Sequence, residues 1–383
     1  MSKKPVIAYL SSADPLDKKV WSGTHYSIYR TLAQVADVKV LGPYIPKTTL
    51  LFGALLNQII LKLSGKRFDY RHSRFVAKVY GRYFSKQLKT IKPDLIIAPA
   101  ASTELAYAVT NAPVIYLTDG TFAGCLNYHK VLSNLTNFSS KQGNAIEQAA
   151  ISKSKFVVVS SPWAAKSVIE DYGKNKAEVV VVPYGANFEQ IIPNDFSYKA
   201  GTVFKLLFVG VYWQSKGGDI AYRAYKLLRD KGLSVSLTIM GCEPPQECMT
   251  EGVTVVPFID KNSKDGQAKM QKIYAEHHLL LLPTRFDCTP IVINEASAFG
   301  LPCLVADTGG VAGHLREGQN GYLLPYNDTG AGYAGKIEQL MLAPEQYNTL
   351  RASAEALYKA ELNWQHWLEK MKPLIADCGV RNI

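Results

Sequence analysis

The sequence predicts an α/β protein of two domains, each built on a parallel sheet that helices cover on both faces. Three observations lead to this prediction. Short apolar strand patterns alternate with helix patterns along the chain. The length of 383 residues exceeds one ordinary domain and suits two. Residues 279–306 read as a strand, a helix and a second strand, the unit from which parallel sheets are built.

In the first half the alternation starts close to the amino terminus. Strands are predicted at 6–10, 38–41, 95–98, 114–117, 156–160 and 179–182. Helices are predicted at 21–36, 50–63, 74–89, 145–152 and 164–172. The first of these helices is expected to open at the turn formed by Ser22, Gly23 and Thr24.

A polar stretch at 183–201 separates this half from a second alternation. Domains are therefore expected at 1–185 and 186–357, followed by a last helical segment at 358–383. Strands are predicted at 205–209, 234–240, 253–256, 279–282 and 303–306. Helices are predicted at 219–231, 267–276, 333–342, 344–357 and 361–375.

Composition limits the class of protein. No apolar run approaches the roughly 20 residues of a membrane span. The first residues lack the apolar core of a signal peptide, and the six cysteines are scattered without a metal-ligand spacing. We therefore expect free thiols and a cytoplasmic protein.

The net charge of +11 is concentrated in one segment. Residues 47–92 contain eleven Lys or Arg and one acid, Asp69, around the apolar run 50–63. This pattern suits a helix lying on an anionic membrane surface, which would make the protein peripheral on the inner face of the membrane. A core or interdomain helix followed by a solvated basic helix stays open. Nucleic acid is not favoured, because no recognition motif accompanies the charge.

Two carboxylates stand at the strand-to-helix junction of the 279–306 unit. Asp287 and Glu295 lie eight positions apart, and Thr289, Pro290 and Ile291 form the turn between them. Open parallel sheets bind ligands at the carboxyl ends of their strands, and a helix amino terminus attracts anions. Carboxylates accept hydrogen bonds from sugar hydroxyls. The alternative is an ordinary loop acid and a helix-face glutamate.

A glycine-containing loop, residues 210–219, follows the strand predicted at 205–209. Its glycines allow backbone amides to approach phosphate oxygens, and Lys216 adds a positive charge. The loop matches neither the P-loop nor the dinucleotide-binding glycine pattern, so neither function is favoured. An ordinary turn with a surface lysine stays open.

Two further candidates lie in the first half. Asp119 follows the strand 114–117, where it either faces a ligand or forms a turn with Gly120. His25 follows the glycine turn at Gly23 and is either a ligand contact or a packing histidine.

These motifs together resemble family 4 of the retaining glycosyltransferases. The family carries a GxxxxxKG loop, here 210–217, and an E-x7-E motif with an A-x-G-x-P break, here 287–295 and 298–302. It also carries a GG-V turn, an NG-Y-L turn and an interdomain linker, here 309–311, 320–323 and 182–187. The resemblance implies the GT-B architecture of two facing Rossmann-like domains with a deep cleft. It also implies that the last helix crosses back to the first domain.

The resemblance implies a role for each candidate residue. Lys216 and the loop from Gly210 would bind the donor diphosphate, Glu295 the ribose, and Asp287 the sugar. The backbone near Phe258 would hold the base. The junction at Thr289, Pro290 and Ile291 would face the diphosphate. Gly23 would let the first-domain loop approach the diphosphate and acceptor, and Asp119 takes the place of a histidine near the reacting carbon.

The activity implied is retaining, metal-independent transfer of a hexosyl unit from a UDP- or GDP-linked sugar, without a cofactor. The acceptor would be a lipid-linked glycan or a cell-surface polysaccharide precursor. Two departures matter: Asp287 replaces a glutamate, and Val211 stands where many members carry an arginine, whose charge Arg285 would have to supply. A catalytically silent GT-B protein that binds sugar or lipid, and a sugar-nucleotide epimerase, stay open.

Overall fold

The structure is a computed structural model that describes residues 4–192 and 197–381. The chain divides into two compact units, one of Met1–Val182 with Leu368–Ile383 and the other of Pro183–Trp367. Of the stretch 183–201 predicted to separate the domains, residues 193–196 lie outside the described residues.

The first unit contains a six-stranded sheet in which every pairing is parallel. Its strands follow the order β2-β1-β3-β4-β5-β6. They are β1 (Val6–Tyr9), β2 (Asp37–Val40), β3 (Leu95–Pro99), β4 (Val114–Thr118), β5 (Phe156–Val159) and β6 (Val179–Val181). β3 and β4 are buried at every position, which explains why they read as unbroken apolar runs.

Helices alternate with these strands. They are α1 (Thr24–Leu32), α2 (Lys47–Ser64), α3 (Arg74–Ile91), α4 (Ser102–Leu105), α5 (Phe122–Cys125), α6 (Asn137–Lys153) and α7 (Pro162–Glu170). The predicted start of the first helix at residue 21 is wrong. Trp21, Ser22 and Gly23 all have positive φ values (48°, 56° and 93°), a conformation that no right-handed helix contains.

The second unit also contains a six-stranded sheet. Its strands follow the order β12-β11-β10-β7-β8-β9, again with parallel pairing throughout. They are β7 (Phe204–Val209), β8 (Val235–Met240), β9 (Val253–Val256), β10 (Leu279–Leu282), β11 (Cys303–Ala306) and β12 (Gly321–Leu324). Two parallel six-stranded sheets with alternating helices confirm the predicted α/β fold class.

β12 corrects the sequence analysis, which treated residues 320–323 only as a turn. Gly321 has a φ of 150°, and a Cβ placed there would lie 2.0 Å from the carbonyl oxygen of Cys303. Glycine therefore lets this segment come close enough to β11 to pair with it.

The helices of the second unit are α8 (Gly218–Asp230), α9 (Lys264–Ala275), α10 (Ile291–Ala298), α11 (Ala331–Leu342) and α12 (Pro344–Ala360). α9 begins earlier than predicted because the Ser263 hydroxyl accepts the amide of Gly266 and caps it. The last helix, α13 (Trp364–Asp377), begins in the second unit, and its residues from Leu368 onward belong to the first. No helix in the described ranges has both the length and the apolar character needed to cross a membrane.

The order of strands in the second sheet reverses between β7 and β10. From β7 the chain moves outward through β8 and β9, then returns through α9 to β10 on the other side of β7. In open parallel sheets such a reversal leaves a crevice at the carboxyl ends of the two strands. The loops that follow β7 and β10 are those in which Lys216 and Asp287 lie.

Candidate functional site

The loop after β7 is positioned by close backbone approach. Gly217 has a φ of 76°, and a Cβ at this position would lie 1.9 Å from the carbonyl oxygen of Pro283. A Cβ on Gly218 would enter the ring of Trp213, at 2.1 Å. Gly217 therefore lets the loop after β7 lie against the loop after β10, and Gly218 leaves room for the Trp213 ring within the first of these loops.

Lys216 and Asp287 meet where the two loops approach each other. Lys216 Nζ lies 2.5 Å from Asp287 Oδ2, and their side chains are 23% and 11% exposed. A Cβ on Gly210 would lie 2.9 Å from Lys216 Cγ, so this glycine leaves room for the lysine stem. The carbonyl of Asp287 accepts the amide of Gly310 (3.0 Å), which ties the GG-V turn to the same loop.

A second ion pair reinforces the contact between these loops. Arg285 donates from both terminal nitrogens to the two carboxylate oxygens of Asp219, at 2.8 and 2.7 Å. Burial raises the pKa of Asp219, but the hydrogen bonds and charge of Arg285 outweigh it and lower that pKa. The guanidinium expected to replace the missing charge at Val211 is thus already paired. Val211 itself is exposed.

Glu295 lies on α10 and is fully buried. Lys261 Nζ lies 2.8 Å from one carboxylate oxygen, and the Tyr274 hydroxyl donates to the other at 2.8 Å. Burial, followed by the Glu295 charge, raises the pKa of Tyr274 far above its ordinary value, so it stays a donor. A buried carboxylate is tolerated only when it is paired and hydrogen-bonded, and these two residues supply both conditions.

Sequence reasoning missed Lys261, Tyr274 and Asp219. Lys261 follows β9 and Tyr274 lies on α9, so neither carries a motif of its own. Only the fold brings them to Glu295. A signal did exist for Lys261, because it follows the segment near Phe258 that was expected to hold the base. Phe258 is exposed, with its ring open to solvent.

The junction before α10 is already hydrogen-bonded within itself. The amide of Ile291 donates to the carbonyl of Thr289 (2.9 Å), and the amide of Ile293 donates to that of Pro290 (2.9 Å). An anion at this helix start would therefore meet competition for the Ile291 amide. Pro290 precedes the first helical residue and has no amide to donate.

In the first unit, Trp21 contacts both Asp119 and His25, the two candidate residues predicted from the sequence. Its indole N–H donates to Asp119 Oδ2 (3.0 Å), while its ring centroid lies 5.2 Å from that of His25. His25 is buried, its Nδ1 lies 2.7 Å from the Tyr9 hydroxyl, and burial lowers its pKa to about 4. His25 is thus packed in the interior of the first unit, and a role as a ligand contact stays a prediction. Gly23, at the base of this turn, is buried as well.

The first unit also buries two carboxyl groups that sequence reasoning missed. Glu147 accepts from the Tyr116 hydroxyl (2.9 Å), and Glu104 accepts from the Ser12 hydroxyl. Burial raises the pKa of both glutamates. Across the described ranges, no three His, Cys, Asp or Glu side chains are grouped closely enough to hold a metal ion.

Comparison with known proteins finds a family match for part of the chain. Residues 203–342, which contain both loops of the second unit, match the family profile described as glycosyl transferases group 1. These residues are called the group 1 segment below. The resemblance carried by the motifs is confirmed to this extent, whereas membership of family 4 in particular stays a prediction.

The curated relatives of this chain are distant in sequence. D-inositol 3-phosphate glycosyltransferase of Rhodococcus erythropolis is 25% identical over 262 residues, which cover 61% of this chain and 58% of that protein. The protein of the same name from Corynebacterium diphtheriae is 21% identical over 294 residues, covering 71% and 67%. The chain thus spans about three fifths to two thirds of the length of these relatives.

Solved structures match the whole chain at low identity. A glycosyltransferase from Rickettsia africae matches with a TM-score of 0.68 at 14% identity, covering 100% of both chains. Sucrose-phosphate synthase from Thermosynechococcus elongatus gives 0.69 at 16%, covering 98% and 99%. Anabaena HepE in complex with UDP gives 0.66 at 14%, covering 98% and 100%. These similarities establish the GT-B fold predicted from the sequence.

Proposed function

We propose that this protein is a glycosyltransferase that moves a hexosyl unit from a nucleotide-diphosphate sugar to an acceptor hydroxyl. The observation that carries the proposal is the pairing of Lys216 with Asp287 at the strand reversal of the group 1 segment. The curated relatives are named as glycosyltransferases, and the Anabaena protein of the same fold binds UDP. A UDP- or GDP-linked donor is therefore expected.

Donor binding would exchange the partners of Lys216. In the structure its ammonium neutralises Asp287. A diphosphate in the crevice carries more negative charge than one carboxylate and would attract the ammonium to its own oxygens. Asp287 would then accept hydrogen bonds from the hydroxyls of the transferred sugar in place of that ammonium. One pair of side chains thereby couples recognition of the diphosphate to recognition of the sugar.

The nucleoside would lie between α10 and the loop after β9. Glu295 would accept from the ribose hydroxyls, with Lys261 and Tyr274 fixing its carboxylate. Phe258 would lie beside the base, since it projects into solvent from the same loop as Lys261. Gly210, Thr289 and Pro290 would leave the backbone close to the diphosphate, and Ile291 would exchange its bond to Thr289 for a phosphate oxygen.

In the reaction, the acceptor oxygen forms a bond to the anomeric carbon as the bond from that carbon to the β-phosphate oxygen breaks. The leaving diphosphate gains negative charge, which Lys216 and the start of α10 would stabilise without a metal or cofactor. Attack from the face of the leaving group would retain the anomeric configuration. The hydroxyl proton would then pass to the departing phosphate oxygen.

The first unit would receive the acceptor. Gly23 gives its loop the left-handed turn seen at residues 21–23, and Asp119 is held there by the indole of Trp21. A lipid-linked glycan or a cell-surface polysaccharide precursor is the acceptor class that suits the basic and apolar character of α2 and α3. The protein would then work in the cytoplasm, at the inner face of the membrane.

The proposal is tested by binding and then by turnover. Thermal unfolding would be followed with UDP, GDP, ADP and their common sugar conjugates, for the wild-type protein and for Lys216→Ala. A ligand that binds only the folded state raises the unfolding temperature. We expect one nucleotide class to raise it in the wild type and to lose most of that effect in the variant. No shift with any donor, or an equal shift in the variant, would contradict the proposal.

Turnover separates the alternatives. Incubation of the stabilising sugar nucleotide with the protein should release the nucleoside diphosphate slowly by hydrolysis, and faster when an acceptor is added. A product with inverted anomeric configuration would refute retention, and a sugar trapped on Asp119 would refute attack from the leaving-group face. Isomerisation of the donor sugar without release of nucleotide would indicate an epimerase. Binding without any turnover would indicate a silent binding protein.

A further inference from the structure

Helix α2 presents its apolar face to solvent. Leu51, Leu55, Ile59 and Leu63 are spaced by four residues and are 73%, 59%, 45% and 83% exposed. Residues at this spacing share one face of a helix. A surface helix of a globular protein normally carries polar side chains on that face and apolar ones toward the core. The orientation of α2 is therefore the reverse of the ordinary one.

Specific contacts hold α2 in this orientation. Gly53 is the only residue of the helix that is buried, and a Cβ there would lie 2.6 Å from Cβ of Tyr70. The side-chain oxygen of Asn57 accepts the amide of Phe68 at 2.8 Å. Gly53, Asn57 and the partly buried Leu50 thus face the protein, while the row from Leu51 to Leu63 faces outward. Turning the helix to bury its leucines would break both contacts.

The exposed apolar face borders a line of positive charge. Phe52 is also exposed, and its ring meets Phe75 of α3 edge to face, with centroids 6.2 Å apart. Beside Phe75 a stripe begins on α3 in which four exposed cations follow one another at intervals of four residues. They are Arg74, Lys78, Arg82 and Lys86.

Within residues 47–92, all of which the structure describes, no exposed acid accompanies these cations. Asp69 is the one acid between residues 47 and 92, its Oδ2 lies 2.7 Å from Nδ1 of His72, and its side chain is only 9% exposed. The surface of α2 and α3 is consequently apolar along one helix and positive along the next.

We propose that α2 and α3 form a docking face for an anionic lipid bilayer, with the apolar face of α2 among the acyl chains and the stripe of α3 against the headgroups. A lipid-linked acceptor would be reached through this surface, and in that respect the docking face rests on the proposed function. At 18 residues α2 would be about 27 Å long and would lie in the plane of the membrane.

The positive charge of α3 beside the apolar face of α2 favours an anionic bilayer over other binding partners. A second copy of the chain pairing through the same face would bring two positive stripes together, which is electrostatically unfavourable. Nucleic acid would satisfy the cations but would leave the row of leucines in water. An anionic bilayer satisfies both, because its headgroups are negative and its interior is apolar.

The test uses the full chain and vesicles of phosphatidylcholine alone or with phosphatidylglycerol. We expect co-sedimentation with the mixed vesicles, at least about tenfold stronger than with the neutral ones and weakened by salt. The double variant Leu55→Glu/Ile59→Glu should abolish binding, since it places acids in the apolar face. Lys78→Ser and Arg82→Ser should each weaken binding by about fivefold at low salt.

Two control variants make the same kinds of substitution outside α2 and α3. Leu342→Glu alters an equally exposed leucine of α11, and Lys226→Ser removes an exposed lysine of α8; neither should change vesicle binding. Equal binding to neutral and mixed vesicles, or full binding by Leu55→Glu/Ile59→Glu, would overturn the proposal. So would a dimer of the lipid-free protein in sedimentation velocity that the double variant abolishes.

The outcome is separable from that of the proposed function. Nucleotide binding is measured on the same variants by thermal shift. Loss of vesicle binding by the α2 variant with nucleotide binding retained supports the docking face alone. Vesicle binding by a wild-type protein that binds no nucleotide would leave the docking face standing and remove the transferase.

Discussion

Replacing Lys216 with methionine removes the charge at the centre of the candidate site while keeping the length of the side chain. The ammonium lies 2.5 Å from Asp287 Oδ2, and both side chains are mostly buried. In the proposed donor complex the same ammonium contacts the diphosphate. The variant should therefore weaken nucleotide binding and, separately, remove the ammonium that neutralises Asp287 in the unliganded protein.

The losses of nucleotide affinity and of stability differ in magnitude, and a second substitution should reverse only the loss of stability. A hydrogen bond to a charged group contributes about 1.5–3 kcal/mol, so the dissociation constant of the nucleoside diphosphate should rise about 10- to 150-fold. Loss of this ammonium from a largely buried carboxylate should lower the free energy of unfolding by about 1–3 kcal/mol. Adding Asp287→Asn removes that carboxylate. The double variant should recover stability but not nucleotide affinity.

Isothermal titration calorimetry with the nucleotide that stabilises the wild type measures the affinity, and urea unfolding measures the stability. Lys226→Met is the matched control, because Lys226 forms an exposed pair with Asp230 on α8 and loses the same charge. A Lys216→Met affinity within about twofold of the wild type would refute the role of Lys216, since a charged hydrogen bond is worth at least tenfold. An equal loss in Lys226→Met would attribute the effect to net charge.

Three further predictions concern the stability of the second unit, each measured by urea unfolding. Gly217→Ala should cost at least about 2 kcal/mol more than Gly232→Ala, because both glycines have positive φ but only the first would meet a carbonyl oxygen, at 1.9 Å; equal costs would contradict this. Lys261→Met should cost about 3–5 kcal/mol by removing the cation that neutralises the buried carboxylate of Glu295, and adding Glu295→Gln should restore most of the loss. Burial, followed by the charge of a neighbouring arginine, lowers the pKa of His314 to about 3 from an ordinary 6.5. As the pH drops, the unfolded chain therefore binds a proton at His314 before the folded protein does, and the free energy of unfolding should fall between about pH 7 and 5. In His314→Gln this fall should be smaller by about 1–2 kcal/mol. An unchanged fall would exclude His314 as its cause.

The regular elements were predictable because their signals are local. β10 is four leucines in a row, all buried, as expected of a central parallel strand. The loop of Gly217 was predicted to bring its backbone close to phosphate oxygens, which stays a prediction; the structure shows that Gly217 also lies against the carbonyl of Pro283. Residues 21–23 were mistaken for helix because three successive left-handed residues have no signature when two of them are tryptophan and serine.

The sequence by itself determined the alternation of strands and helices, the two parallel sheets, and the identity of the motif residues from Lys216 to Glu295. Each of these depends on side chains that are neighbours in sequence or lie on one face of one element. The tertiary structure alone decided that Lys216 is paired with Asp287, that Lys261 and Tyr274 hold Glu295, and that one apolar face of α2 is exposed to solvent. These contacts join residues far apart in the chain, and the packing of one element on another selects them. A periodic pattern shows which face of a helix is apolar, but only the neighbouring elements decide whether that face is covered.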